Sequence, residues 1–245
     1  MSKRGGNKDK RCGSTHVEVI RRQFHGALVS EEWQSEEQVT MTIRADSVPD
    51  VVQFLYYRRG GWLSVVVGND ERPINGNFAL YYVLSMEEVD RCICVIRSEI
   101  SPEAGAFPSV AARVPACVWG EREVRDMFGL TPIGLPDERR LVLPDDWPEG
   151  LYPLRKDSMD YRHRPELAAD LENYEFLNRA EPGTTTVIPM GPLHITSDEP
   201  GHFRLFVEGE HIVDADYRMF YVHRGMEKVA ETRMTYDSVP FLADR

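Results

Sequence analysis

The feature that most constrains the fold of this chain is a run of prolines between residues 131 and 165. Six prolines fall within these 35 residues, among bulky and charged side chains: Pro132, Pro136, Pro144, Pro148, Pro153 and Pro165. Proline lacks the backbone N–H that a helix needs and clashes with the preceding turn, so regular helix is largely excluded here. Glycine and serine are too scarce for a flexible linker. We therefore predict that residues 131–185 form an extended arm followed by a short linker helix at 166–180.

The residues before the arm show patterns of both strand and helix. Val39, Met41 and Ile43 alternate with polar residues, which indicates a half-buried strand. A helical stripe begins after Ser47, and Pro115 opens a second helix in the position where proline is best tolerated. Further β-rich runs lie at 62–67, 77–85 and 91–100. This order predicts an α+β domain over residues 35–130, a mostly antiparallel sheet with helices on one face.

Composition excludes several classes of protein. The formal net charge of −11 argues against nonspecific binding to nucleic acid, whose backbone repels such a surface. No apolar run approaches the roughly 20 residues that span a bilayer, so no direct membrane span is expected. Residues 1–11 carry five basic residues with no apolar run after them. Residues 1–34 are therefore predicted to be a disordered basic leader and a weak helix rather than a secretory signal.

The four cysteines give no clear metal site. They are Cys12, Cys92, Cys94 and Cys117, and none belongs to a Cys-x-x-Cys pair. Alternation places Cys92 and Cys94 on one face of a strand, which suits either a metal pair or two small buried apolar residues; we favour the second interpretation. An iron–sulfur cluster usually needs four thiolates close together, so we expect none to be bound by this protein.

A long charged block follows, from Trp119 to Arg164. It resembles the signature of the C-type subunit of respiratory complex I, in residues that recur at the same spacing: Glu121, Arg122, Glu123, Asp126, Met127, Phe128, Gly129, Pro136, Asp137, Arg139, Arg140, Asp146, Trp147 and Pro153, Leu154, Arg155, Lys156, Asp157. The departure is Leu135, where the respiratory subunit usually has histidine. The resemblance implies the α+β fold of the C-type subunit and a place in a redox complex.

The charges in this block are interpreted as structural. Glu121, Glu123 and Asp126 are expected to face Arg122, Arg125, Arg139 and Arg140 in partly buried ion networks. Glu121 and Arg125 also have the favourable i, i+4 spacing on a helix. The alternative is an acid/base site, but no nucleophile motif accompanies the cluster. Together with Arg155, Lys156 and Asp157, these residues are predicted to be structural or to lie at subunit interfaces.

The C-terminal block begins at Gly191-Pro192-Leu193-His194 and resembles the start of a [NiFe] hydrogenase large subunit of the formate-hydrogenlyase kind. It resembles the D-type subunit of complex I less closely. Glu199, His202 and Arg204 match a Glu-Gly-His-x-Arg segment of the hydrogenases, with Pro200 inserted. The resemblance implies a proton-relay role for Glu199 and His202 in an intact enzyme. The alternatives are an exposed turn carboxylate and a buried, hydrogen-bonded histidine.

The segment His223-Arg-Gly-Met-Glu-Lys228 also matches the hydrogenase family. The resemblance implies that Arg224 and Glu227 organise charges near the active-site floor. Nearby side chains could suggest a metal site, but strand-end carboxylates and surface histidines are the simpler interpretation, so no metal is predicted for Asp214, Asp216, His211 and His223. Alternation from residue 203 followed by a helical pattern predicts a hairpin and helix, within a truncated start of the hydrogenase domain at 186–245.

These observations lead to one expected function and two alternatives. The protein is expected to be a non-catalytic, docking portion of a formate-hydrogenlyase-type large subunit, lacking the nickel-binding cysteines and inactive alone. Its partners would be the hydrogenase small subunit with its iron–sulfur cluster and other complex I-like subunits, at the cytoplasmic face of the membrane. The [NiFe] centre and iron–sulfur clusters would belong to the parent complex. The alternatives are a C-type or fused C/D component of NADH:quinone oxidoreductase, and an assembly module or broken-gene product.

Overall fold

The structure, a computed structural model, describes residues 13–87, 91–160, 162–163, 165–166, 185–193 and 200–244. These residues form two compact units that divide after Glu138. Both contain strands and helices, which confirms the α+β prediction. The domain bounds predicted at 34, 130 and 185 stay predictions. The leader before residue 13 lies outside the described residues, as does the linker helix predicted at 166–180, apart from its first residue.

The first unit contains four helices and seven strands among its described residues. The helices are α1 (Ser14–Gln23), α2 (Val48–Arg58), α3 (Arg72–Asn75) and α4 (Val118–Phe128). The strands are β1 (Leu28–Ser35), β2 (Gln38–Ile43), β3 (Trp62–Asp70), β4 (Phe78–Met86), β5 (Cys92–Ile100), β6 (Ala106–Pro108) and β7 (Thr131–Ile133). A single turn of 3-10 helix at Pro115–Cys117 precedes α4, so the helix that Pro115 was predicted to open is present.

The core lies on one side of a five-stranded sheet with the order β1-β2-β5-β4-β3. Neighbouring strands are antiparallel except β2 and β5, which are parallel. Tyr82 and Leu80 of β4 are buried on the core side, where Val48 of α2 lies beside them. Helix α4 covers β3 on the same side, because Gly120 lies directly against Val66. The short strands β6 and β7 pair in parallel outside this sheet.

Strand β1 was missed by the sequence analysis, which assigned residues 1–34 to a disordered leader and a weak helix. Helix α1 ends at Gln23, and Gly26 adopts a left-handed conformation (φ 76°) that turns the chain into β1. Strand β1 lies at an edge of the sheet, and six of its eight residues are exposed. An edge strand exposed on both sides lacks the alternation by which a half-buried strand is recognised.

The second unit contains a three-stranded antiparallel sheet and two helices among its described residues. The strands are β8 (Thr186–Met190), β9 (His202–Glu208) and β10 (His211–Arg218), in the order β10-β9-β8, and the helices are α5 (Met226–Arg233) and α6 (Val239–Ala243). In these three strands, all of which are described, Phe206 is the single buried side chain. No helix in the described part of the chain is long and apolar enough to cross a bilayer.

The close approach of α4 to β3 predicts the effect of a small substitution. In the variant Gly120→Ala, the new Cβ would lie 2.5 Å from Val66 Cβ, so the helix must move away from the sheet. Alanine is favoured over glycine in a helix by about 1 kcal/mol, whereas overpacking of a core costs about 1–3 kcal/mol. We expect a net decrease in the free energy of unfolding, measured by urea denaturation. A variant as stable as the wild type would show that α4 does not pack this closely.

Candidate functional site

The buried carboxyl group of Glu121 is the centre of the charged block in the first unit. Its side chain is completely buried on α4. One carboxyl oxygen accepts hydrogen bonds from the Tyr82 hydroxyl (3.0 Å) and the Val110 N–H (2.8 Å). The other oxygen accepts a bond from the Ser109 hydroxyl (2.5 Å), whose oxygen in turn accepts from the Ala111 N–H. Glu121 therefore joins α4 to strand β4 and to the loop at 109–111.

The three groups that donate hydrogen bonds to the Glu121 carboxyl are all uncharged. Burial raises the pKa of this carboxyl group, and the three hydrogen bonds from neutral donors only partly oppose the shift. Burial and the neighbouring Glu121 also raise the pKa of Cys117 well above that of a free thiol, which makes it an unreactive thiol. The carboxyl group has no exposed surface and its hydrogen bonds link separate elements of the first unit, an arrangement that suits a structural role.

The ion pairs predicted for this block are only partly present. The expected pairing of Glu121 with Arg125 is wrong, because neutral donors surround the Glu121 carboxyl, whereas the Arg125 guanidinium donates to the Glu138 carbonyl. Arg122 is buried and pairs with Asp137 at 3.1 Å. Asp126 is also buried, whereas Glu123 is exposed on the same helix. Whether these residues lie at subunit interfaces stays a prediction.

A second cluster on the open side of the five-stranded sheet was missed by the sequence analysis. Glu71 accepts hydrogen bonds from the Tyr81 hydroxyl, from Arg97 at 2.6 Å and from Asn75 at 2.9 Å. Although burial opposes ionisation, the bonds from Tyr81 and Arg97 hold the pKa of Glu71 below its ordinary value. Tyr81 and Arg97 are direct cross-strand partners, so the pairing of β4 with β5 brings them together. The spacing in the sequence does not show that pairing.

In the second unit, Arg218 binds the proline-rich arm. Its guanidinium donates hydrogen bonds to the carbonyls of Arg140 (2.6 Å), Leu141 (3.3 Å) and Leu143 (2.8 Å) and pairs with Asp145 at 3.3 Å. Residues 139–145 form no helix or strand, so their backbone carbonyls need other donors, and the five N–H groups of a guanidinium supply them. The end of β10 is therefore fixed to residues 140–145.

Asp216 joins the arm to the three-stranded sheet. Its carboxyl group accepts bonds from Arg204 of β9 and from Arg139 at 2.7 Å. Burial opposes ionisation of Asp216, but these two arginines lower its pKa below its ordinary value. Arg140, the neighbour of Arg139, donates to the carbonyls of Pro144 and Trp147. Arg139 and Arg140 are thus ion-pair and backbone-binding residues of the second unit.

The segment Arg155-Lys156-Asp157 lies against α5. Lys156 pairs with Glu231 of α5 at 2.8 Å, and Lys228 donates to the Arg155 carbonyl at 3.3 Å. The Arg155 guanidinium stacks over the Tyr152 ring, 4.5 Å from its centroid. Asp157 is exposed. These contacts hold the arm on the helix.

Three of the four residues proposed for proton relay and charge organisation are among the described residues of the second unit. Glu199 lies outside the described residues, and His202 opens β9 opposite Arg218. Glu227 pairs with His223 at 3.2 Å, a contact that lowers the pKa of Glu227. Arg224 is exposed and contacts the Met226 sulfur at 3.9 Å. The structure thus pairs Glu227 with a histidine, and the role of Arg224 and Glu227 near an active-site floor stays a prediction.

The cysteines do not fit the nickel centre that the hydrogenase resemblance implies for the whole enzyme. That centre needs two Cys-x-x-Cys pairs, whereas Cys92 and Cys94 lie on one strand, buried, with their sulfurs 3.9 Å apart. Cys117 is buried beside Glu121. Among the described residues, no three His, Cys, Asp or Glu side chains come together in a group suited to a metal ion.

The role of Glu121 predicts a large loss of stability in the variant Glu121→Ala. Removal of the carboxyl leaves the Tyr82 hydroxyl, the Ser109 hydroxyl and the Val110 N–H buried without their acceptor. We expect a loss of at least about 3 kcal/mol in the free energy of unfolding, because three buried groups lose their acceptor and each unsatisfied group costs about 1–3 kcal/mol. Glu123→Ala on the exposed side of α4 is the control and should change stability by less than about 0.5 kcal/mol. Equal effects of the two variants would contradict this role.

The raised pKa of Glu121 predicts a dependence on pH. Above the unfolded-state pKa of about 4.3, the folded protein holds this proton more tightly than the unfolded protein. The stability from the neutral carboxyl is therefore complete below that pH and is lost as the pH rises through the folded pKa. Glu121→Gln cannot ionise, so the wild type should lose stability relative to this variant from about pH 4 upward. A difference that is constant with pH, in urea denaturation, would contradict the shift.

Comparisons with known proteins place the chain in a family. Formate hydrogenlyase subunit 5 of Escherichia coli (strain K12) is 59 % identical over 237 residues, which cover 97 % of this chain and 42 % of that protein. The C/D subunit of NADH-quinone oxidoreductase from Methylococcus capsulatus (strain Bath) is 27 % identical over 93 % of this chain and 42 % of that protein. The chain thus spans about two fifths of the length of these relatives.

A solved structure shares the fold. One polypeptide of the membrane-bound sulfane sulfur reductase, an archaeal respiratory membrane complex, has a TM-score of 0.51 and 21 % identity, covering 69 % of this chain and 95 % of that one.

The family model for the respiratory-chain NADH dehydrogenase, 30 Kd subunit, matches residues 41–163. This match takes in the five-stranded sheet from Met41 onward, Glu121 and much of the arm. The chain therefore belongs to the respiratory-chain NADH dehydrogenase 30 Kd subunit family, and it is similar to formate hydrogenlyase subunit 5.

Proposed function

We propose that this protein is a non-catalytic portion of a formate-hydrogenlyase-type [NiFe] hydrogenase large subunit, and that it acts in assembly and docking. The observation that carries the proposal is the 59 % identity to formate hydrogenlyase subunit 5 over 97 % of the chain. The non-catalytic part of the proposal is supported by the cysteines of this sequence, none of which belongs to a Cys-x-x-Cys pair that could hold nickel. The sequence from Gly191 would be the start of the part that, in the parent enzyme, surrounds the [NiFe] centre.

The geometry of the charged block supports a docking role. Charged residues of the block are bound to neighbouring groups within each unit: Glu121 and Arg122 in the first, Arg139 and Lys156 in the second. Fixed contacts of this kind suit a rigid scaffold. A rigid scaffold is what a docking module needs, because ordering on association then costs little free energy. The partners we propose are the hydrogenase small subunit with its iron–sulfur cluster and other complex I-like subunits. The assembled complex would lie on the cytoplasmic face of the membrane.

The second candidate is a C-type or fused C/D component of NADH:quinone oxidoreductase. The family description and the relative from Methylococcus capsulatus favour it. The identity of 27 % to that relative is less than half of the value for the hydrogenlyase subunit. Leu135 stands where the respiratory subunits usually have histidine. Its side chain is buried and belongs to the apolar core of the first unit, so the chain departs from the respiratory pattern at this position. We therefore rank the hydrogenase assignment first.

Glu199 and His202 are proposed as proton-relay residues in an intact enzyme. Their support is the resemblance of residues 199–204 to the hydrogenase segment, together with the position of His202 at the start of β9. Within the 245 residues of this protein they would have no reaction to serve. The relay needs the nickel site that the remainder of the parent enzyme would supply.

Co-purification tests the proposed function. The tagged 245-residue chain is expressed together with the small subunit of a formate-hydrogenlyase-type hydrogenase or, in parallel, with the corresponding iron–sulfur subunit of NADH:quinone oxidoreductase. We expect a stoichiometric complex with the hydrogenase subunit and a weaker one, or none, with the other. The purified protein should contain no stoichiometric nickel.

The outcomes of this experiment separate the candidates. Preference for the iron–sulfur subunit of NADH:quinone oxidoreductase would favour the second candidate. Failure to bind either subunit would contradict a docking role. One nickel per polypeptide would contradict the non-catalytic assignment.

A further inference from the structure

The three-stranded sheet β8–β10 has two sides of different chemistry. On one side, Arg204 faces Asp216 across β9 and β10, and Phe206 is buried. Asp216 also binds Arg139 of the arm. This side is therefore occupied by contacts within the second unit.

The other side is apolar and exposed. The register places eight apolar side chains on it, which we call the apolar face: Ile188, Met190, Phe203, Leu205, Val207, Ile212, Ala215 and Tyr217. Phe203 and Tyr217 stack with ring centroids 4.0 Å apart and are about 40 % exposed, and Ile212 is 61 % exposed. Neighbouring apolar groups on three adjacent strands make a continuous surface rather than scattered residues.

Such a surface is unusual for a protein that works alone. A small antiparallel sheet normally needs cover on one hydrophobic side, and contiguous exposed apolar patches mark interaction sites. The five-stranded sheet of the first unit has that cover from α2 and α4. The one other residue that the strand pairing places on this side is Thr186, so no charged residue of the paired strands lies on the apolar face. An interface of this composition resembles a permanent interface rather than a transient one.

The length of the relatives indicates what covers the face. The matched region comprises 97 % of this chain but 42 % of formate hydrogenlyase subunit 5, so that protein contains more polypeptide outside the match than within it. A second copy of this protein is a poor occupant, because the formal net charge of −11 makes two copies repel each other. We propose that the apolar face is the packing surface for the part of a hydrogenase large subunit that lies outside the matched region. This inference rests on the proposed function.

Co-expression in two pieces tests the proposal. The 245-residue chain is expressed with the part of Escherichia coli formate hydrogenlyase subunit 5 that lies outside the match, and binding is measured by co-purification and light scattering. Ile188→Lys and Ile212→Lys place a charge on the apolar face at exposed positions. Ile74→Lys is the matched control, since Ile74 is 85 % exposed in the first unit. Circular dichroism and thermal unfolding verify that all three variants fold.

We expect a one-to-one complex with the wild type and the Ile74→Lys variant, and at least tenfold weaker binding with either variant of the apolar face. Absence of the complex, or equal binding by all variants, would overturn the proposal. Self-association of the 245-residue chain that Ile188→Lys abolishes would assign the face to a second copy instead. Binding of the hydrogenase small subunit, measured separately, shows whether a failure affects this inference alone or the proposed function as well.

Discussion

The first unit depends on one buried carboxyl group. Glu121 accepts hydrogen bonds from a strand, through Tyr82, and from the loop at 109–111, through Ser109 and Val110. Since the carboxyl lies where no solvent reaches it, those three donors have no alternative partner, and the contacts must form together or not at all. Gly120 brings the helix close enough for this arrangement, because its missing side chain lets Val66 approach. Packing and hydrogen bonding thus account for Gly120 and Glu121 within the charged block.

In the second unit, arginine side chains join the proline-rich segment to the three-stranded sheet. A proline-rich arm cannot satisfy its own carbonyl groups through helix or sheet, and Arg218 supplies donors to three of them. Arg139 and Arg204 meet at Asp216, so the arm and the sheet share one ion cluster. These contacts use one side of the sheet. The other side remains apolar and exposed, which suits a unit that completes its core with another polypeptide.

Several features could be predicted from the sequence because they depend on local rules. Helix α4 begins after Pro115 and ends at Gly129, which has the left-handed conformation (φ 65°) that glycine adopts most easily. The half-buried strand β2 and its alternation were also visible. Strand β1 was not, because it lies at an edge and is mostly exposed.

The parallel pairing of β2 with β5, and the Glu71–Tyr81–Arg97 cluster, depend on which strands become neighbours, and no local pattern contains that information. The Glu121–Arg125 pair was expected from spacing alone, but burial gave Glu121 neutral partners.

The central claim is that the charged block supports the fold, whereas chemistry in an intact enzyme would involve the C-terminal block. The most direct test replaces the matched region of Escherichia coli formate hydrogenlyase subunit 5 with this chain and measures hydrogen evolution per bound nickel. In the Glu121→Ala form, we predict less assembled enzyme but an unchanged rate per nickel, whereas Glu199→Gln should lower the rate per nickel. A rate per nickel that falls with Glu121→Ala, or stays unchanged with Glu199→Gln, would contradict this division of roles.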